Sequence, residues 1–351
     1  MAETRTPSTR TTIKDIASLT GFSVPTVSLV LNGKSNFRES TRKNIIEAAS
    51  SLGYRANTLA RAMRSGRFGS VTLLLSKHSS RSTPFTGFLL RAEEELASNG
   101  VNLIIQQFDD EQLKDREYMP RALRESMSDG FLINYFQDFP VEMQDVIEGN
   151  GIPSVWINTL HEYDCIRPDD ERMGRNATER LIESGHQRIL YVTPELAGGH
   201  YSKRARCQGY QAAMEENGLK PHTMIIDLQD SSQLRNLQMV LDSRSRPTAV
   251  VLPNAASAPT VIHLARMAGL AVPQDISVVT INDYLINELG YRIAMEEFSM
   301  GEMGKRAAAM LLKKIEHPSQ HYDPELLASH WMPGDTFAQA PKSDVTSTSG
   351  Q

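Results

Sequence analysis

Cysteine is scarce: Cys165 and Cys207 are the only two, so no disulfide framework is available. The pair lacks metal-ligand spacing, and a bond between them would need an oxidising compartment; both are expected to be reduced thiols. No run approaches the roughly 18 consecutive apolar residues that a membrane span requires. The opening MAETRTPSTR has no apolar stretch of the signal-peptide kind, which sets the expectation of a cytoplasmic protein. A P-loop, a dinucleotide-binding glycine fingerprint, a G-x-S-x-G elbow and a metal-ligand cluster are all missing. The nine histidines are scattered, and His186, in SGHQRI, reads as a structural residue at a helix end. The expectation is therefore no enzyme, no catalytic residue, no metal and no cofactor, although a fold alone never excludes a grafted site.

Charge is more informative once divided. Residues 1–70 hold eleven Lys/Arg and four Asp/Glu, a net +7, while the whole chain is −5, which leaves −12 on residues 71–351. A basic head on an acidic body suits a nucleic-acid contact at one end. A solvated basic segment without a partner would give the same count. The length suggests two or three domains, and 40% hydrophobic with 23% charged residues describes an ordinary globular protein.

Residues 1–10 read as a flexible tail. From Thr12, the residues Ile13, Ile16, Ala17 and Leu19–Thr20 follow helical spacing until Gly21. Ser23 is placed to cap a second helix, whose apolar stripe is Val24, Val27, Val30 and Leu31 and which ends at Asn32 and Gly33. A third helix runs from about Glu39 to Leu52, with Ile45, Ile46, Ala48, Ala49 and Leu52 inward, and Gly53 stops it. Three helices in about forty residues, the first two joined by a tight Gly-Phe-Ser turn, make a helix-turn-helix unit over 11–57. A short helix from Thr58 to Arg64, capped by Asn57, and a glycine-marked linker complete a hinge over 58–70. So short a helix is marginal alone, and is expected to fold only when something supports it.

Beyond Val71 the rhythm is strand, helix, strand, helix. Apolar runs at 71–75, 101–106, 130–134, 152–158, 188–193, 249–252 and 276–281 are short and β-branched, as strands buried on both faces would be. Helical stretches at 88–100, 173–186, 206–218 and 260–269 lie between them. The alternation predicts parallel α/β sheets with right-handed crossovers, in two lobes that span 71–340. Ligands in open α/β lobes sit beyond the carboxyl ends of the strands, so the cleft between lobes is the expected small-molecule site. Residues 341–351 read as a disordered tail.

At this level of detail the chain resembles the lactose/galactose repressor (LacI) family over nearly its whole length. TIKDIASLTGFSVPTVSLVLNG (12–33) is similar to that family's helix-turn-helix, and TRKNIIEAASSLGYRAN with LARAMR (41–64) to its third helix and hinge helix. RPDDERMGRNATERLIESGHQRILYVT (167–193), RARCQGYQAAMEENGL (204–219), PTAVVLPN (247–254) and VPQDISVVTIND (272–283) resemble its effector-binding core. The resemblance implies an all-α head on a two-lobed parallel α/β core like that of periplasmic sugar-binding proteins. It divides the core into an N-lobe of about 71–165 and 293–322 and a C-lobe of about 166–292 and 323–338. It also implies a homodimer or tetramer, a pseudo-palindromic operator, and a small-molecule effector of carbohydrate type that controls DNA binding.

Site residues follow by position. Val24, Pro25 and Leu29 resemble the family's base-reading triplet, while Thr26 and Ser28 are short hydroxyls suited to phosphates. Val24 and Leu29 could themselves be core residues, but spacing fits Val27 and Val30 to the core better and favours exposure of the other two. Apolar side chains cannot fork onto guanine or adenine but can touch thymine methyls. Further DNA contacts are implied for Thr12, Ser23, Asn32, Tyr54 and Asn57. Met63 stands where the family places a leucine that wedges into the minor groove, flanked by Arg61 and Arg64 for phosphates; the alternative is a contact between hinge helices. In the core, Arg206 of the pattern R-x-x-G-Y is implied to fork onto ligand oxygens, with a cap or turn role as the alternative. Asn254, Asn282 and Asp283 follow strand ends that face the cleft, with turn or cap roles as alternatives. Phe85, in TPF, resembles the family's N-P-F and is implied to line the opposite side, and Asp169 either caps the following helix, the preferred reading, or faces the cleft.

Four departures stand out. Ala255 replaces an acidic residue, Asn282 a sugar-forking aspartate, Pro333 an arginine and, on a loose alignment, Leu228 a stacking aromatic. They keep open a second reading: a regulator without an effector, constitutive or answering a protein. A transport-type binding protein would share the core, but residues 1–65 argue against it.

Overall fold

The computed structural model describes residues 11–33, 37–55, 66–78, 81–82, 85–115, 128–136, 138–194, 199–227, 230–285 and 287–342. The chain divides into two compact units, Met1–Phe68 and Gly69–Gln351.

In the first unit the backbone N–H and the hydroxyl of Thr12 both donate to the Asp15 carboxylate, at 2.7 and 2.8 Å, and so start α1 (Ile13–Thr20). Gly21, at φ +72°, supplies the left-handed turn that ends it. Ser23 caps α2 (Val24–Leu31), accepting the Thr26 N–H at 3.3 Å, and Pro25 sits in the first turn, where no donor is needed. α3 (Glu39–Ser51) closes the unit over a core of Ile16, Val27, Val30, Ile45, Ala48 and Ala49. Ile46 departs from expectation: it is 46% exposed. Ile45, Ala48, Ala49 and Leu52 already complete the i, i+3, i+4, i+7 stripe, and one further step turns Ile46 about 100° away from it. The linker helix at 58–64, the tail over 1–10 and residues 343–351 lie outside the described residues.

The second unit holds two six-stranded sheets. The first comprises β1 (Ser70–Ser76), β2 (Asn102–Phe108), β3 (Phe131–Asn134), β4 (Ser154–Ile157), β5 (Cys165–Pro168) and β13 (Glu325–Leu327), in the order β13-β5-β4-β3-β1-β2. Among the described residues, the helices that lie in its segments before the first crossing are α4 (Thr86–Ser98), the short α5 (Asp110–Leu113) and α6 (Val141–Gly149). The second sheet comprises β6 (Ile189–Thr193), β7 (His222–Ile225), β8 (Ala249–Leu252), β9 (Ser277–Asn282), β12 (Ala294–Glu297) and β14 (His330–Met332), in the order β14-β12-β9-β8-β6-β7. Its helices are α7 (Asp170–Glu183), α8 (Ser202–Glu216), α9 (Ser231–Leu241) and α10 (Ala258–Met267). A small antiparallel hairpin, β10 (Asn287–Glu288) with β11 (Tyr291–Arg292), precedes β12. After β12 the chain returns to the first lobe as α11 (Met300–Glu316).

Two expectations are corrected here. Among the described residues the pairing is parallel except at β12–β14 and in the hairpin. β2 is not buried on both faces: it is an edge strand, with Ile105 51% exposed. The lobe boundaries also move. The chain crosses between sheets after Pro168, after Glu297 and after Leu327, so β5 and β13 complete the first lobe while β12 belongs to the second. Strand pairing decides this, and pairing is not readable from an apolar run.

Helices α7 and α8 touch backbone to backbone. A Cβ at Gly209 would lie 1.9 Å from the Glu171 carbonyl oxygen, and one at Gly174 only 2.0 Å from that of Arg206. This contact sets the spacing of the two helices that carry Asp170 and Arg206. Gly304 brings α11 equally close to α4, at 2.2 Å from the Phe88 oxygen.

Candidate functional site

Helix α2 presents two faces. Val27 and Val30 are buried, while Val24 and Leu29 are exposed, as their spacing requires, and Pro25 is exposed beside them. The Ser23 hydroxyl bonds the Thr26 hydroxyl at 2.9 Å as well as its N–H, so both side chains are tied to the start of the helix while remaining at its surface. Ser28 is half-buried, and the Asn32 amide donates to the Ser28 carbonyl at 2.7 Å and so closes the last turn. Thr12 is exposed at the start of α1, and Tyr54 is half-buried against the three-helix core. A helix start with exposed small and apolar residues, on a unit rich in Lys and Arg, has the form needed to enter a DNA groove. Asn57, Arg61, Met63 and Arg64 lie outside the described residues.

In the core unit, Arg206 rises from α8 and Asp170 from the first turn of α7. The Arg206 Nε donates to Asp170 Oδ1 at 2.7 Å and its Nη1 to the Pro253 carbonyl; the guanidinium also lies over the Phe298 ring, 5.5 Å from its centroid. At 8% and 1% exposure this is a buried ion pair, which is strongly destabilised if either partner is removed. Asp169 caps α7, accepting the Arg172 N–H at 3.2 Å, in agreement with the preferred sequence reading. Asn254 is half-buried at the end of β8. Asn282 donates to the Tyr284 carbonyl at 2.9 Å and so serves the turn after β9. Burial holds the Asp283 carboxyl above its ordinary value, with Arg206 pulling the other way.

Phe85 precedes α4 on the first lobe, and an aromatic chain starts from it. Its ring centroid is 6.0 Å from Phe136, which is 5.5 Å from His200, which is 4.5 Å from Tyr201. Phe136 belongs to the first lobe and His200 to the second, so this wall bridges the cleft. His200 adds a second bridge, with Nε2 donating to the Asn158 carbonyl at 2.8 Å and Nδ1 facing the Ser202 hydroxyl at 2.6 Å. Burial lowers the pKa of its imidazole, so the ring is neutral at pH 7. His186 is structural as read: it is buried between the Thr248 hydroxyl, at 3.0 Å, and the Ala338 carbonyl, at 3.1 Å. Cys165 and Cys207 are free and buried.

Sequence reasoning missed Phe136, Arg167, Asp170, Tyr191, His200, Tyr201 and Phe298. Most are polar or aromatic residues at strand ends and helix starts, a signal usable only once strand direction is known. The Tyr191 hydroxyl is buried with no hydrogen-bond partner, and Asp170 Oδ2 and the Tyr201 hydroxyl are buried beside one another. Burial raises both phenols, and the Asp170 carboxylate raises them further. Among the described residues no group of His, Cys, Asp and Glu could hold a metal ion, and no helix is long and apolar enough to cross a membrane.

Comparison with known proteins matches residues 12–57 to the bacterial regulatory proteins of the lacI family, and residues 178–337 to a periplasmic binding protein-like domain. The probable HTH-type transcriptional regulator EndR of Paenibacillus polymyxa is 28% identical over 328 residues, 89% of this chain and 93% of that protein. The HTH-type transcriptional repressor PurR of Photobacterium profundum is 29% identical over 279 residues, 76% of this chain and 80% of its own. Among solved structures, the lac repressor dimer bound to operator and the anti-inducer ONPF superposes with a TM-score of 0.73 at 20% identity, covering 94% of this chain and all of that one. The cellobiose complex of the transcriptional regulator CelR gives a TM-score of 0.63 at 23% identity, covering 93% and 100%.

Proposed function

The chain belongs to the LacI family of bacterial regulatory proteins, and from that premise we propose that it is a cytoplasmic repressor whose homodimer binds a pseudo-palindromic operator under the control of a small molecule held between the core lobes. The observation that carries this reading is α2, which buries Val27 and Val30 and leaves Val24, Pro25 and Leu29 free to meet base edges. Thr26, Ser28 and the helix N-terminus serve phosphates. The apolar triplet favours thymine methyls. Met63, as an apolar wedge between base steps, and Arg61 and Arg64, on phosphates, complete the DNA contact.

Control follows from the cleft. Arg206 and Asp283 stand on the second lobe and Phe85 and Phe136 on the first, so a ligand that touches both sides favours one lobe arrangement over another. That preference biases the spacing of the two DNA heads, which must match half-sites set by the helical repeat. A carbohydrate or sugar derivative fits an aromatic wall beside buried polar groups. One observation favours the effector-free alternative: Arg206 and Asn282 are already engaged within the protein. The buried Tyr191 hydroxyl and Arg167 Nε, which have no hydrogen-bond partner, weigh against it, because buried polar atoms in native proteins are normally satisfied. Selection of duplexes from a random library by the full chain is expected to enrich two-fold symmetric sites with thymine in both half-sites. Recovery of unrelated sequences would refute sequence-specific binding.

A further inference from the structure

The cleft lining includes a second arginine, half-buried on the first lobe. Arg167 lies on β5, one residue before the chain first crosses between the lobes. Its Nε is buried with no hydrogen-bond partner, and its guanidinium carbon is 5.8 Å from the centroid of the Tyr201 ring. No described residue forms an ion pair or a hydrogen bond with it. The contrast with Arg206 is informative, because Arg206 is neutralised by Asp170 at 2.7 Å. A buried N–H without an acceptor is costly. The Tyr201 hydroxyl is buried on the far lobe beside the Asp170 carboxylate, in the same cluster. Guanidinium nitrogens fork onto planar or tetrahedral oxyanions, and such charge-assisted bonds are the stronger ones. The aromatic chain from Phe85 to Tyr201 supplies a surface for the ligand's carbon skeleton. Asp283, across the cleft, supplies an acceptor for its hydroxyls.

We infer that the effector is acidic and that Arg167 holds its oxyanion, a carboxylate or a phosphate, so that this cleft selects a sugar acid or sugar phosphate over the neutral parent sugar. The inference rests on the cleft reading given above, and the test separates the two. Calorimetry on the full-length protein compares matched sets: glucose, gluconate, glucuronate and glucose 6-phosphate; galactose and galacturonate; ribose and ribose 5-phosphate. The acidic member of one set is expected to bind at least tenfold tighter than its neutral parent, and carboxylate against phosphate within a set identifies the head group. Arg167→Gln is expected to weaken that acid by about 10- to 100-fold, the range for a lost hydrogen bond to a charged group. Arg167→Lys, which keeps the charge without the fork, is expected to fall between. Arg206→Lys preserves the ion pair with Asp170 and is expected to weaken acidic and neutral ligands alike. Two results overturn the inference alone and leave the cleft reading standing: a neutral sugar that binds as tightly as its acids and is lost in Arg206→Lys, or an acid that is indifferent to Arg167→Gln yet lost in Arg206→Lys. An acid unaffected by either substitution, or a silent panel, contradicts both.

Discussion

Gly209 tests how the packing of α7 on α8 supports the cleft. A methyl group at this position would lie 1.9 Å from the Glu171 carbonyl oxygen and 2.7 Å from the Arg175 nitrogen, both of them backbone atoms that no rotamer change can move. Ordinary van der Waals contact begins near 3.4 Å, so the helices must part by about 1.5 Å. Overpacking of this kind costs about 1–3 kcal/mol. In a core of this size that lowers the unfolding midpoint by roughly 3–10 °C. Displacement also pulls the Arg206 guanidinium from Asp170, because the two groups ride on the separated helices. Gly209→Ala is therefore expected to lose both thermal stability and affinity for any cleft ligand. Gly304→Ala is the matched control: it meets the Phe88 oxygen at 2.2 Å between α4 and α11, so it is expected to lose stability by a similar amount while keeping affinity. Gly149→Ala, a helix C-terminal residue with nothing within 4 Å, is expected to be near neutral. Thermal unfolding of the three full-length variants decides it; a Gly209→Ala midpoint within 1 °C of the parent would refute the reasoning.

Ser23→Ala removes the α2 cap, and a midpoint of the DNA-binding unit lowered by about 1 kcal/mol of stability is expected, together with weaker DNA binding; unchanged values would discount the cap. Arg206→Ala strands Asp170 at 1% exposure and is expected to cost about 3–5 kcal/mol, much of which Asp170→Asn in the same chain recovers; urea unfolding reads both, and a double variant as weak as the single one contradicts the ion-pair account. Burial depresses the pKa of His186 and of His200 below the ordinary value of 6.5, so their contribution is fully present above about pH 6.5 and is lost as pH falls through the lowered values. Asp283 and Glu296, raised by burial, act in the opposite sense: their contribution is present below the ordinary carboxylate range and is lost as pH rises through the raised values. His200→Gln is thus expected to flatten the fall in melting temperature between pH 7.5 and 5.5, and an identical slope in the variant would count against it.

The sequence carried the order of strands and helices because β1, β3, β4, β6, β8 and β9 are continuous apolar runs, and burial on two faces demands such runs. β10, β11, β13 and β14, two or three residues each and partly exposed, carry no such signal. The three crossings between lobes followed from the family resemblance but fell a few residues early, since sheet membership is a pairing between residues as distant as Leu327 and Pro168. In the cleft, Arg206 was legible through the R-x-x-G-Y pattern, and the contact at Gly209 explains the glycine in it. Arg167 was not legible: in CIRP it looks like any exposed strand-end arginine, and only the fold places it beside Tyr201, thirty-four residues on.

The most direct measurement of the central claim is operator affinity with and without the cleft ligand. The full-length protein is titrated by fluorescence anisotropy onto a selected two-fold symmetric duplex at fixed salt, first alone and then with the tightest ligand from the calorimetric panel at saturation. Coupling between two such sites is typically about 1–3 kcal/mol, so affinity is expected to change by roughly 5- to 150-fold in either direction, and to be indifferent to ligand at the same concentration in Arg206→Lys. Equal affinity with the cleft filled and empty, in a protein shown by calorimetry to be saturated, would contradict the account.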